Sequence, residues 1–267
     1  MPRCFAAAAL LAAALVAGCT EPDPAGPSVQ PAPPDAVPEP DSVAVAVIGR
    51  TRAAHGSDLL DASVVTFDFR GRAFRAERSR GRFAYARTWD EDGRTLRDVL
   101  DNGGVRRTVD GTPVALSEAE ALAVEEAVNS VVYFALIPHG LADDAVQPRH
   151  LGSDSLGGEV YDLVEVTFRP EGGGRDYQDR FLYWVHREQS TVDYLAYSYE
   201  VNGGGARFRR AVNARAAGGA RFADYENYTA DPLAPPLEAL GRMWEADSLR
   251  LLSEVVLDRV RVQPIAR

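Results

Sequence analysis

The sequence predicts a mainly β, α+β domain. Short segments rich in Val, Phe, Tyr and Thr recur at roughly ten-residue spacing, glycine turns separate them, and only two or three stretches carry helical periodicity. Val64–Phe69, Ala73–Arg78, Arg82–Trp89, Thr95–Leu100 and Val105–Val114 are the first five expected strands, with Gly71, Gly81, Gly93 and Gly103-Gly104 at the turns. That spacing is the pattern of an antiparallel meander. A helix follows: Ser117-Glu118-Ala119-Glu120 is a capping-box pattern, and Val124, Ala127, Val128, Val131, Phe134 and Ala135 keep to one helical stripe until Pro138 stops it. The stretch from His139 to Gly158 reads as irregular chain, long enough for a flap or lid.

A second meander then runs from residue 159 to residue 230, with turns at Gly172-Gly173-Gly174, Asn202-Gly203-Gly204-Gly205 and Gly218-Gly219. Its strand from Phe181 places Phe181, Tyr183 and Val185 on one side and Leu182, Trp184 and His186 on the other, because side chains alternate along a strand. Both faces are therefore partly apolar. One can lie under the helix, and the other requires a cover, a partner or a ligand. A helix over Leu237–Asp247, with Leu237, Leu240 and Trp244 on one stripe, precedes a last strand over Leu249–Val262. Asp41–His55 fits two descriptions: "VAVAVI" alternates like a strand, whereas Asp41 or Ser42 can cap a helix.

Residues 1–18 carry Arg3 and then an uncharged run from Phe5 to Gly18, the pattern of a secretory signal. The run is too short for a helix across a bilayer, which takes about 20 residues. Leu15-Val16-Ala17-Gly18-Cys19 resembles the bacterial lipoprotein cleavage box, which implies that Cys19 becomes the acylated first residue of the mature chain. Two or three acyl chains at about 0.8 kcal/mol per methylene hold a protein durably to a membrane, whereas one does not. Residues 19–40 are the lipidated cysteine and a tether. Eight of the twenty-one residues from Thr20 to Pro40 are proline, with Glu21, Asp23, Asp35 and Glu39 and no basic residue, a composition that favours extended polyproline conformations over a core. Thr20, in place of an aspartate after the cysteine, points to the outer membrane of the cell envelope, on an undetermined face. Residues 41–267 remain as one β-rich domain.

The formal charge of -10 opposes nucleic acid as a general partner. All 29 basic residues are arginine, so a P-loop, a Schiff-base lysine and a Ser-x-x-Lys pair are excluded. The histidines, His55, His139, His150 and His186, lack the spacing that places two imidazoles on one metal, and no metal or cofactor is expected. With Cys4 removed in the signal, no second thiol remains for a disulfide. His139 or His150 with Asp143, Asp144 or Asp154 would be the residues of a hydrolase, but no catalytic motif joins them and a non-enzymatic domain is the expectation.

"NSVVYFALIP" (129–138), "VTFRPEGGGRDYQDRFLYWV" (166–185), "VDYLAYSY" (192–199) and "RFRRAVNARAAGGARFADYENY" (207–228) resemble a family of exported bacterial proteins catalogued as a domain of unknown function. The element order, helix, five strands, helix, five strands, helix, strand, is similar to that of the Lol lipoprotein carriers and related lipid-binding proteins. This second resemblance implies a large curved antiparallel sheet, a half-open barrel, packed with two or three helices, and it favours a helix over Asp41–His55. It is also consistent with a hydrophobic ligand, lipid or acyl chain, which the two-faced aromatic strands themselves motivate, with Tyr133, Phe134, Trp184 and Tyr194 as candidate lining residues. The alternative is a protein-interaction or envelope-assembly module in which arginines of "RFRRAVNAR" meet an acidic partner or phosphate; Arg207 and Arg209 share a strand face, Arg210 takes the other, and a solvated face is the expected state of both.

Overall fold

The computed structural model describes residues 41–175, 177–200, 203–231 and 233–266. The signal, Cys19 and the acidic tether lie outside the described residues.

The ambiguous first segment is a helix, α1 (Ser42–Ala54). Asp41 settles the choice, since its Oδ1 accepts from the Val43 and Ala44 N–H groups at 2.9 and 3.1 Å and its Oδ2 from the His150 N–H at 2.8 Å. Those bonds, with the His150 N–H first, hold the Asp41 carboxyl below its ordinary pKa. Ala44, Val47, Ile48 and Thr51 then fall on one buried stripe, so "VAVAVI" is read with helical period. A 3₁₀ turn, Ser57–Asp61, leads into the first sheet.

Among the described residues, fourteen strands form two open antiparallel sheets of seven, packed with three helices. The expected mainly β architecture is therefore present, divided between two sheets. The first sheet contains β1 (Ala62–Phe69), β2 (Arg72–Ser79), β3 (Arg82–Glu91), β4 (Arg94–Asp101), β5 (Gly104–Val109) and β6 (Thr112–Val114) in sequence order. The fifth expected strand is thus two, folded at Asp110-Gly111, where both residues take positive φ as a two-residue hairpin turn requires. The capping box is also present: α2 (Glu118–Ala135) begins with Ser117 accepting from the Glu120 N–H and Glu120 accepting from the Ser117 N–H.

The second sheet contains β7 (Val146–Leu156), β8 (Glu159–Phe168), β9 (Arg180–His186), β10 (Val192–Tyr199), β11 (Gly205–Ala217) and β12 (Ala220–Thr229). The expected lid at 139–158 is corrected here. After a short 3₁₀ turn at His139–Ala142, the chain is the edge strand β7, paired along β8 from Val146↔Phe168 to Leu156↔Glu159. A register shift between His150 and Ser153, beside Gly152 at φ +98°, breaks the alternation that would have marked it as a strand.

After α3 (Leu237–Glu245), the chain ends in β13 (Arg250–Val255) and β14 (Asp258–Pro264). The predicted final strand is an arm shared by both sheets: β13 pairs with β12 and β14 with β1. The join is latched by the buried Asp224, whose Oδ1 accepts from the Leu257 N–H at 2.9 Å and lies 3.0 Å from Arg215, while its Oδ2 accepts from Asn213 at 3.2 Å. An apolar cluster sits at this join, where Ala220 and Phe222 meet Val65, Phe67, Phe74, Tyr85 and Leu100 of the first sheet under Val124, Val128 and Val132 of α2.

Candidate functional site

The second sheet has two apolar faces, and different helices cover them. On the outer face α3 lays Leu237 and Leu240 against Leu156, Leu182, Trp184 and Phe208. Trp184 is fully buried, and its Nε1 donates to Asp154 Oδ2 at 2.9 Å. Gly241 lets the helix approach so closely that a Cβ there would lie 3.2 Å from the Trp184 ring. Tyr194, also buried, stacks on Phe208 with ring centres 5.7 Å apart and meets Trp244 at 5.2 Å. Burial raises the Tyr194 and Tyr161 hydroxyls above the ordinary tyrosine value.

On the inner face α1 covers Val164, Val166, Val185 and Leu195, and the last turn of α2 delivers Tyr133 and Phe134. The Tyr133 and Tyr183 hydroxyls share a hydrogen bond of 3.0 Å; burial pushes Tyr133 up to about 12 and Tyr183 well above its usual value. Phe134 meets Tyr197 at 5.1 Å and Phe181 at 6.2 Å, and Phe168 meets Phe181 edge-on at 5.8 Å. These rings form a continuous row, yet Tyr133, Phe134, Phe168, Tyr197 and Tyr199 all remain partly exposed. The four expected lining residues thus fall into two pairs on opposite faces: Tyr133 and Phe134 face inward, and Trp184 and Tyr194 lie under α3.

Sequence reasoning missed what stands beside that row. Arg209 is 8% exposed, whereas a solvated face was expected for it. Its guanidinium carbon sits 3.8 Å above the Phe134 ring and 5.2 Å from Tyr197, and its Nη2 donates to the Tyr197 hydroxyl at 3.0 Å. Its Nε is buried with no acceptor, and among the described residues no carboxylate pairs with it. Arg207, on the same face, lies 5.0 Å from the Tyr199 ring and donates to the Ala206 carbonyl and the Thr229 hydroxyl. The next strand adds Asn227, 7% exposed, whose Nδ2 donates to Ser253 Oγ at 3.2 Å while its Oδ1 is unpaired. Arg210 does turn to the other face, where it pairs with Glu226 at 2.9 Å. The strand period revealed which arginines share a face, but the end of α2 that buries Arg209 lies 75 residues earlier in the chain.

The histidine and carboxylate groups serve the framework. His139 Nε2 lies 2.8 Å from Asp61, and His150 Nε2 lies 3.1 Å from Asp162, which also receives Arg50 at 2.5 Å. Asp143 accepts from the Ala145 N–H, and Asp154 holds Trp184, so these carboxylates do not meet His139 or His150 as a catalytic pair. His55 accepts the Val192 N–H, and burial lowers its pKa to about 4. On the first sheet, Asp98 is completely buried between Arg107 at 2.6 Å and Arg87 at 2.8 Å. The outer face of that sheet carries an open recess of about 320 Å³ floored by Thr66, Ala73, Ala86 and Thr88 and rimmed by Arg75, Arg97, Arg259 and Arg261. Arg75 pairs with Glu77 and Arg259 with Asp68, while Arg97 and Arg261 have no ion-pair partner among the described residues.

The model of a family of unknown function, DUF6503, matches residues 60–256. No curated protein matches the chain. Among solved structures, a putative outer membrane lipoprotein-sorting protein domain from Vibrio parahaemolyticus is 9% identical, covering 83% of this chain and 92% of its own, with a TM-score of 0.44. A LolA superfamily protein from Nitrosomonas europaea is 9% identical over 81% of this chain and 94% of its own, with a TM-score of 0.41. A DUF1329 family protein from Desulfovibrio piger is 10% identical over 82% and 92%, with a TM-score of 0.39. The resemblances read from the sequence, to an unknown-function family and to Lol-type domains, are thus both present among these matches.

Proposed function

We propose that this chain, which belongs to the family of unknown function DUF6503, is an acylated cell-envelope lipoprotein whose domain binds a hydrophobic ligand, lipid or acyl chain, on the inner face of its second sheet. The observation that carries the reading is the contrast between the two faces of that sheet. α3 seals the outer face around a fully buried Trp184, while the aromatic row on the inner face stays partly open at Tyr133, Phe134, Phe168 and Tyr197. Partly exposed aromatic rings beside polar groups suit a ligand with an apolar body. Tyr133 and Phe134 are accordingly proposed to touch the ligand, and Trp184 and Tyr194 to hold α3 in place behind it. Residues 1–18 direct export, Cys19 carries the acyl chains, residues 20–40 tether the domain to the outer membrane, and residues 41–267 bind. No cofactor, catalytic group or nucleic acid enters this function.

Native mass spectrometry of the unlipidated domain, with titration of a fluorescent fatty acid, tests the reading. Co-purifying lipid and saturable uptake are expected. No bound lipid from several expression hosts, together with no saturable uptake, refutes it.

A second reading, docking of an acidic protein partner without a small ligand, is favoured by the arginine-rimmed recess on the first sheet, where Arg97 and Arg261 have no ion-pair partner among the described residues. Crosslinking in cells followed by pull-down separates the two; a partner whose capture is lost in Arg97→Glu/Arg261→Glu supports it, and unchanged capture opposes it.

A further inference from the structure

Resting on that reading, we infer that the inner-face ligand carries an anionic headgroup, carboxylate or phosphate, which the Arg209 guanidinium receives with help from Arg207 and Asn227. The argument begins with electrostatics. An arginine stays charged in proteins, and a buried charge is costly unless it is paired. At 8% exposure, Arg209 has the Tyr197 hydroxyl and two aromatic faces as company, an unpaired Nε, and no carboxylate among the described residues. Other buried ions of this domain are matched. Asp98 lies between two arginines, and Glu165 receives Arg149 and Arg180. Arg209 is an exception, and it occurs beside the open aromatic row.

The neighbours suit an anion. Arg207 is partly exposed, and among the described residues it donates to neutral oxygens and makes no ion pair. Asn227 shares its bond with the Ser253 hydroxyl, which can donate or accept, so the amide can present either its oxygen or its NH₂ outward. Glu226, next to Asn227 in sequence, faces the other side of the sheet with Arg210. Two guanidinium groups and an amide, with no ion pair to either arginine among the described residues and with Asp162 of that face taken up by Arg50 and His150, form a donor set for a planar carboxylate or a phosphate. The rings of Phe134 and Tyr197 adjoin it, so an anionic head at Arg209 leaves the apolar tail along the aromatic row.

The test compares cis-parinaric acid with its methyl ester on the full chain carrying Cys19→Ala, with Arg209→Met and Arg207→Gln as variants and with inorganic phosphate as competitor. In the parent chain the acid should bind at least tenfold more tightly than the ester. Arg209→Met should remove that preference while leaving ester affinity within twofold, and Arg207→Gln should reduce it. Should Arg209→Met not fold, Arg207→Gln and the acid-to-ester ratio of the parent chain still decide. Equal affinity for acid and ester overturns the headgroup site and leaves hydrophobic binding standing. Phosphate that displaces the acid at micromolar concentration overturns the lipid headgroup in favour of a free anion. Binding of neither probe refutes the hydrophobic-ligand reading, and this inference with it.

Discussion

Asp224→Ala should cut the join between the sheets. Its carboxylate is 5% exposed and serves three groups: the Leu257 N–H at 2.9 Å, Arg215 at 3.0 Å and Asn213 at 3.2 Å. The Arg215 side chain is 33% exposed, so water replaces much of that pairing and its share is discounted. What remains is a buried backbone N–H left without an acceptor, about 1–3 kcal/mol, and a lost charge-assisted bond of similar size. Together these come to about 3 kcal/mol, which in a domain of this length lowers the melting temperature by roughly 6–12 °C at 2–4 °C per kcal/mol. Far-UV circular dichroism melts of parent and variant give the shift, and hydrogen exchange locates it. The amides of β14 should lose protection before those of β8 and β9, because only the former depend on the latch to stay beside β1. Asp224→Asn keeps an acceptor oxygen and should lose about half as much. A drop below about 2 °C, or protection lost evenly across both sheets, refutes the idea that Asp224 secures the arm.

Leu240→Ala should lower stability by about 2–5 kcal/mol, the range for a fully buried leucine, and shift the Trp184 emission to the red as α3 loosens, which melts and fluorescence will read. Asp98→Ala leaves Arg87 and Arg107 facing each other without their shared carboxylate and should destabilise by about 3–5 kcal/mol, with Asp98→Asn milder; chemical denaturation measures both. His55 has a folded pKa near 4, below its unfolded value, because burial disfavours the charged ring. The stability this contributes is complete above about pH 6.5 and is lost as pH falls toward about 4, at most roughly 3 kcal/mol for a shift of this size. His139 is lowered in the same direction by burial, so His55→Gln should flatten, without abolishing, the fall in melting temperature between those pH values. Cys19→Ala should end radiolabelled palmitate incorporation in the native host and release the protein from membranes; continued incorporation refutes acylation at that sulfur.

The strands were legible where glycine turns and alternation coincide. Tyr85 lies in a clear alternating run, and its strand appears within two residues of the expected bounds. The apolar character of both faces in "RFLYWVH" correctly demanded two covers, and α1 with α2 on one side and α3 on the other supply them. β7 was illegible because Pro148, Gly152 and a register shift scatter its apolar residues, so its pairing with β8 decides the conformation. The double allegiance of the last arm was illegible for a similar reason. Nothing local to Val256-Leu257 announces that pairing passes from β12 to β1; the acceptor that fixes the passage is Asp224, 33 residues away. At the candidate site, period alone grouped Arg207 with Arg209, but the burial of Arg209 comes from Phe134 on a distant helix.

The most direct measurement is photocrosslinking with a diazirine-bearing fatty acid, followed by peptide mapping of the labelled chain. Label on peptides containing Tyr133, Phe134, Phe168 or Tyr197, suppressed by excess unlabelled fatty acid, is the expected result. Saturable label confined to α3 or to the Trp184 and Tyr194 side of the sheet would contradict a ligand on the inner face.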